Sequence, residues 1–123
     1  MSSFQLRSAR PTIGVRDVAA SVEWYGRVLG TRCEITMGDP IDFALLEGPD
    51  DHLLALVLDA GVRPSPAAAV YVNVSGVDAA FEHMRGSGAD VLGEPETHPW
   101  GQRDFVVVDP DGHRLAIGEH VGH

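Results

Sequence analysis

The chain has no lysine and only one cysteine, and each shortage excludes some chemistry. Without lysine, neither a Schiff base nor the phosphate-binding P-loop motif can form, because both need an ammonium group. With Cys33 alone, no disulfide can form within the chain, so nothing indicates an oxidising compartment. The longest apolar run, Leu53 to Leu58, has the length of a strand and not of a membrane span. Since Met1 to Arg10 also contains no apolar targeting segment, we expect a cytoplasmic protein that does not bind membranes.

Basic side chains are scarce as a class. The chain carries 9 of them against 18 acidic side chains, which gives a formal net charge of −9 with histidine neutral. Such a surface repels the phosphates of nucleic acids and of anionic membranes, so we expect neither as a partner. It suits a neutral or cationic small molecule instead.

What the sequence does contain is an internal repeat. Residue types in segment 15–23 return in the same order in segment 74–82, and those of 49–55 return in 110–116. Each half has a short β-branched strand, an amphipathic helix and three further strands, the last two joined by tight turns at 48–51 and 109–112. Asp17 and Asp78 are placed to cap the two helix N termini, and Gly30 is placed to end the first helix.

The repeat predicts an α+β fold of two tandem βαβββ modules that form a curved mixed sheet around a cleft. We place module 1 at about residues 10–60, a linker at about 61–67 and module 2 at about 68–120, in a single domain spanning 1–123. One such unit cannot cover both faces of its sheet, whereas two units with helices outside can enclose a cleft. The alternative is an accidental repeat in an ordinary α+β domain.

Two segments resemble the glyoxalase/bleomycin-resistance (vicinal-oxygen-chelate) superfamily. Arg10 to Gly30 is similar to the family's opening module and reads RPTIGVRDVAASVEWYGRVLG. Pro99 to Glu119 is similar to its closing hairpin and reads PWGQRDFVVVDPDGHRLAIGE. The family includes metal-dependent isomerases, dioxygenases, thiol transferases and metal-free drug-binding proteins, so the resemblance implies the fold more directly than the function.

The resemblance places metal ligands at four symmetry-related strand positions that face the cleft. In this chain those positions hold Arg10, Ala55, Ala69 and Ala116, none of which can ligate a divalent cation. A shift of one residue along a strand would turn the side chain to the opposite face, so it would not restore the site. We therefore expect no metal, no other cofactor and no catalytic residues of the usual family kind.

Without these metal ligands, the chain resembles the metal-free, bleomycin-resistance-like branch of the family. The resemblance implies a metal-independent binding protein that sequesters an antibiotic, with an aromatic ligand that is neutral or cationic. Two alternatives stay open: a glyoxalase-like enzyme (a lyase, isomerase, dioxygenase or thiol transferase) with an unusual or metal-free site, and a sensor or accessory subunit. The resemblance also implies a homodimer, in which Pro11 hooks the N-terminal strand across the partner; open sheet edges favour the same arrangement.

Strand alternation selects the side chains that face the cleft. If the valines of segment 70–74 are core residues, Tyr71 and Asn73 face the other way, as an aromatic wall and an orienting amide or as part of the dimer interface. The predicted ligand-binding residues are Arg10, Thr12, Phe43, Tyr71, Asn73, His98 and Trp100.

Several of these residues have an ordinary structural alternative. Arg10 pairs either with a ligand carboxylate or with an acid of the protein, and Phe43 is equally typical of a core. Trp100 is either a ligand-stacking ring or the anchor of its loop.

The histidines offer one further candidate for chemistry. His98 is the histidine nearest to the expected cleft mouth, but a general base needs an orienting partner, which the sequence does not show. His52 and His113 occupy equivalent turn positions, so we expect both at the surface.

Overall fold

The computed structural model describes residues 3–49 and 52–122, so the predicted turn at 48–51 falls partly outside the described residues, at Asp50 and Asp51. In chain order the elements are β1 (Thr12–Val15), α1 (Val18–Leu29), β2 (Arg32–Met37), β3 (Phe43–Glu47), β4 (His52–Leu58), β5 (Ala68–Asn73), α2 (Val77–Gly86), β6 (Asp90–Val91), β7 (Glu96–Thr97), β8 (Gln102–Val108) and β9 (Arg114–His120). Neither helix in this part of the chain has the length and apolar content needed to cross a membrane.

The strands form two mixed sheets, one from each half of the chain. The first has the order β1-β4-β3-β2, with β1 parallel to β4 and the other neighbours antiparallel. The second has the order β5-β9-β8-β6, with β5 parallel to β9, and β7 also pairs with β8. Since β6 and β7 together take the place of β2, the predicted α+β fold of two βαβββ modules is confirmed, with one strand broken into two pieces.

Each sheet packs one face against a helix, and we call the opposite face its open face. In the first sheet Ile13, Val15, Leu54 and Leu56 are buried on the helix side, whereas Thr12 is exposed. This alternation follows from the period of two residues along a strand. The helix-side residues of both sheets merge into one continuous hydrophobic core. The open faces are therefore the surfaces left for function.

Helix α1 begins and ends where the sequence predicts. The Asp17 carboxylate accepts a hydrogen bond from the backbone N–H of Ala20 at 3.0 Å, which satisfies one of the free donors of the first turn. Gly30 ends the helix in the left-handed conformation with φ of 78°, and its N–H donates to the backbone oxygen of Gly26.

The prediction that Asp78 caps α2 is wrong, because the N-cap lies two residues earlier. Gly76 is the N-cap residue, and its side chain offers no acceptor. The Glu119 carboxylate of β9 accepts from the N–H groups of Gly76 and Val77 at 3.2 and 2.8 Å instead. Asp78 lies in the first turn and forms an ion pair with Arg103 at 2.9 Å. Glu119, a residue distant in sequence, therefore caps α2 in place of Asp78.

The prediction that His113 lies at the surface is also wrong. Its side chain is buried, and its Nε2 atom lies 2.7 Å from the backbone oxygen of Gly14. Gly14 belongs to β1, an edge strand of the first sheet, so its outward carbonyl needs a partner. Nearby, the Arg16 guanidinium donates to Asp111 at 3.1 Å and to the backbone oxygen of Val62 at 2.9 Å. These contacts join the 109–113 turn of module 2 to module 1.

Candidate functional site

The open face of the second sheet carries a connected set of polar side chains. Gln102 and Asp104 come from β8, Tyr71 from β5 and His120 from the end of β9, while His98 follows β7. The register pairs Gln102 with His120 across the two strands, which places both on the same face. We call these five residues the polar network.

Asp104 lies at the centre of the polar network. Its Oδ1 atom is 2.8 Å from Nε2 of His98, and its Oδ2 atom accepts from the Tyr71 hydroxyl at 3.0 Å. The Tyr71 hydroxyl in turn accepts from the side-chain amide of Gln102 at 2.8 Å. The carbonyl oxygen of that amide lies 3.3 Å from Nδ1 of His120. One chain of hydrogen bonds thus joins the two imidazoles.

The direction of these hydrogen bonds determines which nitrogen of His98 carries the proton. An ionised carboxylate only accepts, so Nε2 of His98 must donate, and in the neutral ring Nδ1 then holds the lone pair. Within the described residues, no group forms a hydrogen bond with Nδ1. This atom is not fully buried, so it is open to solvent. Asp104 is the orienting partner that the sequence does not show.

Tyr71 stays protonated at neutral pH and therefore works as a donor. Loss of solvation raises the pKa of Tyr71 above its ordinary value, and the hydrogen bond and charge of Asp104 also raise it, although the hydrogen bond from Gln102 has the opposite effect. The side chain is 42% exposed, so it lies on the open face and not in the core.

Trp100 lies at the tip of the turn between β7 and β8, directly beside His98. The two rings are stacked, with centroids 4.5 Å apart and planes inclined by 2°. The backbone N–H of Gly101 donates to the oxygen of His98 at 3.0 Å and closes the turn, and Gly101 has φ of 93°, which glycine adopts without strain. Trp100 is 66% exposed, so the imidazole covers part of the indole and leaves the rest open.

Three of the predicted ligand-binding residues lie on the first sheet or just before it. Thr12 begins β1 and is exposed, and Phe43 begins β3 and is half-buried. The register places Phe43 beside Met37, which is 57% exposed. Arg10 lies just before β1, with Nη1 3.4 Å from Nδ1 of His52. Ligand contact by these three residues stays a prediction.

The first sheet also carries an acidic cluster that the sequence analysis did not identify. Ligand atoms of Glu34, Glu47 and His52 all lie within 4.8 Å of one another. Nε2 of His52 is 2.7 Å from Glu34, and Glu47 forms an ion pair with Arg32 at 2.9 Å. Carboxylates and imidazole are typical metal ligands, yet the guanidiniums of Arg32 and Arg10 lie beside them and repel a cation. The expectation that the chain binds no metal therefore has to be tested here as well.

Asn73, the last residue of β5, lies between the open face and a separate cavity. This cavity of about 670 Å³ lies between the C-terminal end of α1 and the helix α2, and Asn73, Val72 and Met84 are among its lining residues. Its one imidazole, His83, already contacts the backbone oxygen of Arg27 at 3.1 Å. The cavity lining contains no carboxylate and no Phe, Tyr or Trp ring, so we place the candidate site at the polar network.

The structure brings together three of the predicted residues, Tyr71, His98 and Trp100, through a residue that the sequence analysis missed. Asp104 carries that connection, and the alternation of β8 is the signal that could have identified it. In the segment 102–108, Phe105 is a clear core residue, which places Asp104 on the opposite face.

Comparison with known proteins agrees with this architecture. The family model described as Glyoxalase/Bleomycin resistance protein/Dioxygenase superfamily matches residues 7–117. An uncharacterized protein of Mycobacterium bovis is 25% identical over 133 residues, which cover 90% of this chain and 82% of that protein.

Solved structures show the same fold. A glyoxalase-related enzyme from Clostridium phytofermentans has a TM-score of 0.80 at 20% identity, with 98% of this chain and 100% of that chain covered. A bleomycin-binding protein in complex with bleomycin has a TM-score of 0.76 at 20% identity, with 93% of this chain and 98% of that chain covered. At such identities the similarity concerns the fold, and the site has to be argued from its own residues.

Proposed function

Because this chain belongs to the glyoxalase/bleomycin resistance protein/dioxygenase superfamily, we propose that it is a metal-independent protein that binds a flat aromatic small molecule, neutral or cationic. Trp100 is the observation that carries the proposal. This large aromatic side chain, 66% exposed, stacks on an imidazole that is hydrogen-bonded to a carboxylate. Exposed aromatic surface of this kind is typical of a binding site, because covering it with a ligand removes a large apolar area from water and so contributes binding free energy.

The indole has a stacking partner within the protein itself. His98 stacks against it, and Asp104 holds His98 through a hydrogen bond of 2.8 Å. Binding then orders few protein side chains, so less of the interaction free energy is lost to conformational entropy. A flat ring that stacks on the open part of the indole gains on the order of 1 kcal/mol beyond the burial of its surface.

The charge around Trp100 favours a cation. Asp104 lies behind His98, and Glu96 of β7 pairs with Asp104 across the two strands. Arg103, the nearest cationic side chain on β8, forms its ion pair with Asp78 of α2 and so faces the helix side. A positive charge on the ligand would interact with these carboxylates and with the face of the indole.

Sequestration of an antibiotic is the role that we propose for this binding. The similar bleomycin-binding protein is complexed with bleomycin, and bleomycin-type glycopeptides are therefore the first ligands to test. Trp100 and the polar network would fit a different aromatic cation equally well.

We further propose that the protein acts as a homodimer. The open face of the first sheet leaves Ile35 and Met37 43% and 57% exposed, and the extended N-terminal segment leaves Phe4 91% exposed. A twofold partner could cover such apolar surface, and most small homo-oligomers have this symmetry.

Tryptophan fluorescence tests the binding proposal. The full chain is titrated with bleomycin, with other cationic aromatic antibiotics and with fosfomycin. We expect quenching by the cationic aromatic compounds, weaker affinity at high salt, and no quenching in Trp100→Phe, since the second tryptophan, Trp24, is buried. Trp100→Ala should weaken binding about tenfold or more, because a lost stack of about 1.4 kcal/mol corresponds to tenfold in Kd.

The controls separate binding from other activities. His83→Gln changes a histidine away from the open face and should bind as the parent does, because its Nε2 atom contacts only the backbone of Arg27 in the described structure. If only anionic phosphonates bind, or if only turnover of a glutathione adduct is seen, the proposal of a binding protein is wrong.

A further inference from the structure

We propose that Asp104 and His98 form a proton-abstracting pair, so that this site hydrolyses an acyl group on the flat aromatic molecule it binds. The proposal uses the same site as the proposed function and adds an activity to it. It rests on the geometry of the pair and on the open position of one nitrogen atom.

The pair has the arrangement that general-base catalysis requires. Nε2 of His98 donates to Oδ1 of Asp104 at 2.8 Å, which orients the ring and stabilises the imidazolium once it forms. The second oxygen of Asp104 is held by the Tyr71 hydroxyl at 3.0 Å, so the carboxylate itself has a fixed position. The side chains of His98 and Asp104 are 25% and 20% exposed, which leaves the pair partly shielded from water.

The nitrogen that would take the proton is accessible. Since Nε2 donates to the carboxylate, Nδ1 of the neutral ring carries a lone pair, and within the described residues nothing bonds to it. The Trp100 indole covers one side of the imidazole at 4.5 Å between ring centroids.

The strands around His98 carry charged groups of both signs. Asp104 of β8 is in direct contact, and Glu96 of β7 pairs with Asp104. His120 of β9 is separated from His98 by Gln102 and Tyr71, and Arg103 points to Asp78 on the helix side. The Asp104 carboxylate, in direct contact with the ring, therefore stabilises the positive charge that the ring acquires in the reaction.

The reaction requires only water as a second reactant. A water molecule next to Nδ1 of His98 loses a proton to that nitrogen while its oxygen forms a bond to the acyl carbon of an aryl ester. The bond between the acyl carbon and the aryl oxygen breaks, and the aryl oxide leaves with the electron pair of that bond. The proton on Nδ1 then passes to the aryl oxide or to solvent, which restores the neutral ring. The exposed part of the Trp100 indole would hold the aryl ring.

The experiment measures hydrolysis of p-nitrophenyl acetate by the full chain and three variants. His98→Gln removes the base, Asp104→Asn removes the orienting charge while it keeps the side-chain shape, and His83→Gln is the control on α2. We expect a protein-dependent rate above that of buffer alone, because His98 takes the proton of the attacking water. His98→Gln and Asp104→Asn should each lower this rate at least tenfold, and His83→Gln should leave it unchanged.

A second measurement does not depend on the variants folding. Diethyl pyrocarbonate is reacted with the unmodified protein, and the modified histidines are identified by mass spectrometry as the hydrolysis rate falls. We expect the rate to fall in proportion to modification of His98 and not of His83. A rate that survives complete modification of His98, or equal rates in the parent and His98→Gln, would overturn the proposal. Quenching by antibiotics without His98-dependent hydrolysis supports the binding proposal and overturns the proposed hydrolysis. His98-dependent hydrolysis without quenching by antibiotics supports the hydrolysis and contradicts antibiotic binding.

Discussion

The hydroxyl of Tyr71 occupies the space that a Cβ atom on Gly118 would fill. Tyr71 belongs to β5 and Gly118 to β9, the strand between β5 and β8. Strands separated by one neighbour are roughly 10 Å apart, and a side chain can cross that distance only if the middle strand leaves room. Because Gly118 has no side chain, Tyr71 lies across β9 and reaches Asp104 on β8 at 3.0 Å.

Gly118→Ala should therefore destabilise the second sheet and its site. The new Cβ atom would also lie 2.7 Å from Cβ of Asp104 and 2.9 Å from the backbone oxygen of Arg103, so both the side chain and the strand would have to shift. We expect the free energy of unfolding to fall by about 1–3 kcal/mol, the usual cost of overpacking. Urea denaturation measures this change.

Gly86→Ala is the matched control. A Cβ atom on Gly86, the last residue of α2, meets nothing within 4 Å, and the backbone there does not have a positive φ. The control should be as stable as the parent or slightly more stable, since alanine restricts the unfolded chain. Equal denaturation midpoints for Gly118→Ala and Gly86→Ala would contradict the role assigned to Gly118.

Tyr25→Phe should destabilise the core near the module junction. The hydroxyl of the buried Tyr25 donates to Oδ2 of Asp109 at 2.7 Å, and the other oxygen of Asp109 accepts from the N–H groups of Asp111 and His113. Removing the hydroxyl leaves one oxygen of a buried carboxylate without its donor, which costs roughly 1–3 kcal/mol. Thermal and urea denaturation at neutral pH should both show the loss.

The same tyrosine makes stability depend on alkaline pH. Burial raises the pKa of Tyr25 far above its ordinary value of about 10, and the neighbouring Asp109 raises it further. Above the ordinary pKa of tyrosine, the unfolded chain releases the tyrosine proton and the folded chain keeps it. The free energy of unfolding therefore falls as pH rises. Tyr25→Phe should flatten this fall, and the part due to Tyr71, the only other tyrosine, should remain. An unchanged alkaline slope in Tyr25→Phe would contradict the burial argument.

Light scattering should give the mass of a homodimer at micromolar protein. Removal of Met1 to Arg10 should weaken association, because this segment includes Phe4 and Leu6, which are 91% and 85% exposed in the single chain. Met37→Glu on the open face of the first sheet should also weaken it, since a charge would have to lose its hydration at the interface. A monomer mass for the parent would reject the dimer, and an unaffected deletion variant would reject only the role of the N-terminal segment.

Elemental analysis of untagged protein should find no stoichiometric Zn, Ni, Mn or Fe. The positions that the family resemblance assigns to metal ligands hold Arg10, Ala55, Ala69 and Ala116, which supply no donor. About one tightly held metal ion per chain would contradict this expectation. Glu34→Gln then locates the ion, because loss of metal in that variant would assign it to the cluster of Glu34, Glu47 and His52.

The two wrong predictions about individual residues have the same physical cause. The sequence correctly predicts Asp17 as a cap because the donor it satisfies is three residues away, on Ala20. It fails for Asp78, since Glu119 of another strand satisfies the first N–H groups of α2. His113 was expected at the surface because nothing in its turn shows that an edge strand needs a donor there.

By itself, the sequence determined the repeat, the strand–helix–strands plan of each half and the faces of the residues in segment 70–74. These properties follow from local periods and from capping over a few residues, so Tyr71 could be assigned to the face opposite the valines of its strand. Only the tertiary structure decided which of these side chains meet. The contact of Tyr71 with Asp104 depends on the strand order β5-β9-β8 and on the space above Gly118, neither of which is a local property. Asp104 and His98 meet because β7 and β8 pair as a hairpin, and that pairing turns a histidine next to a loop into one member of an oriented pair.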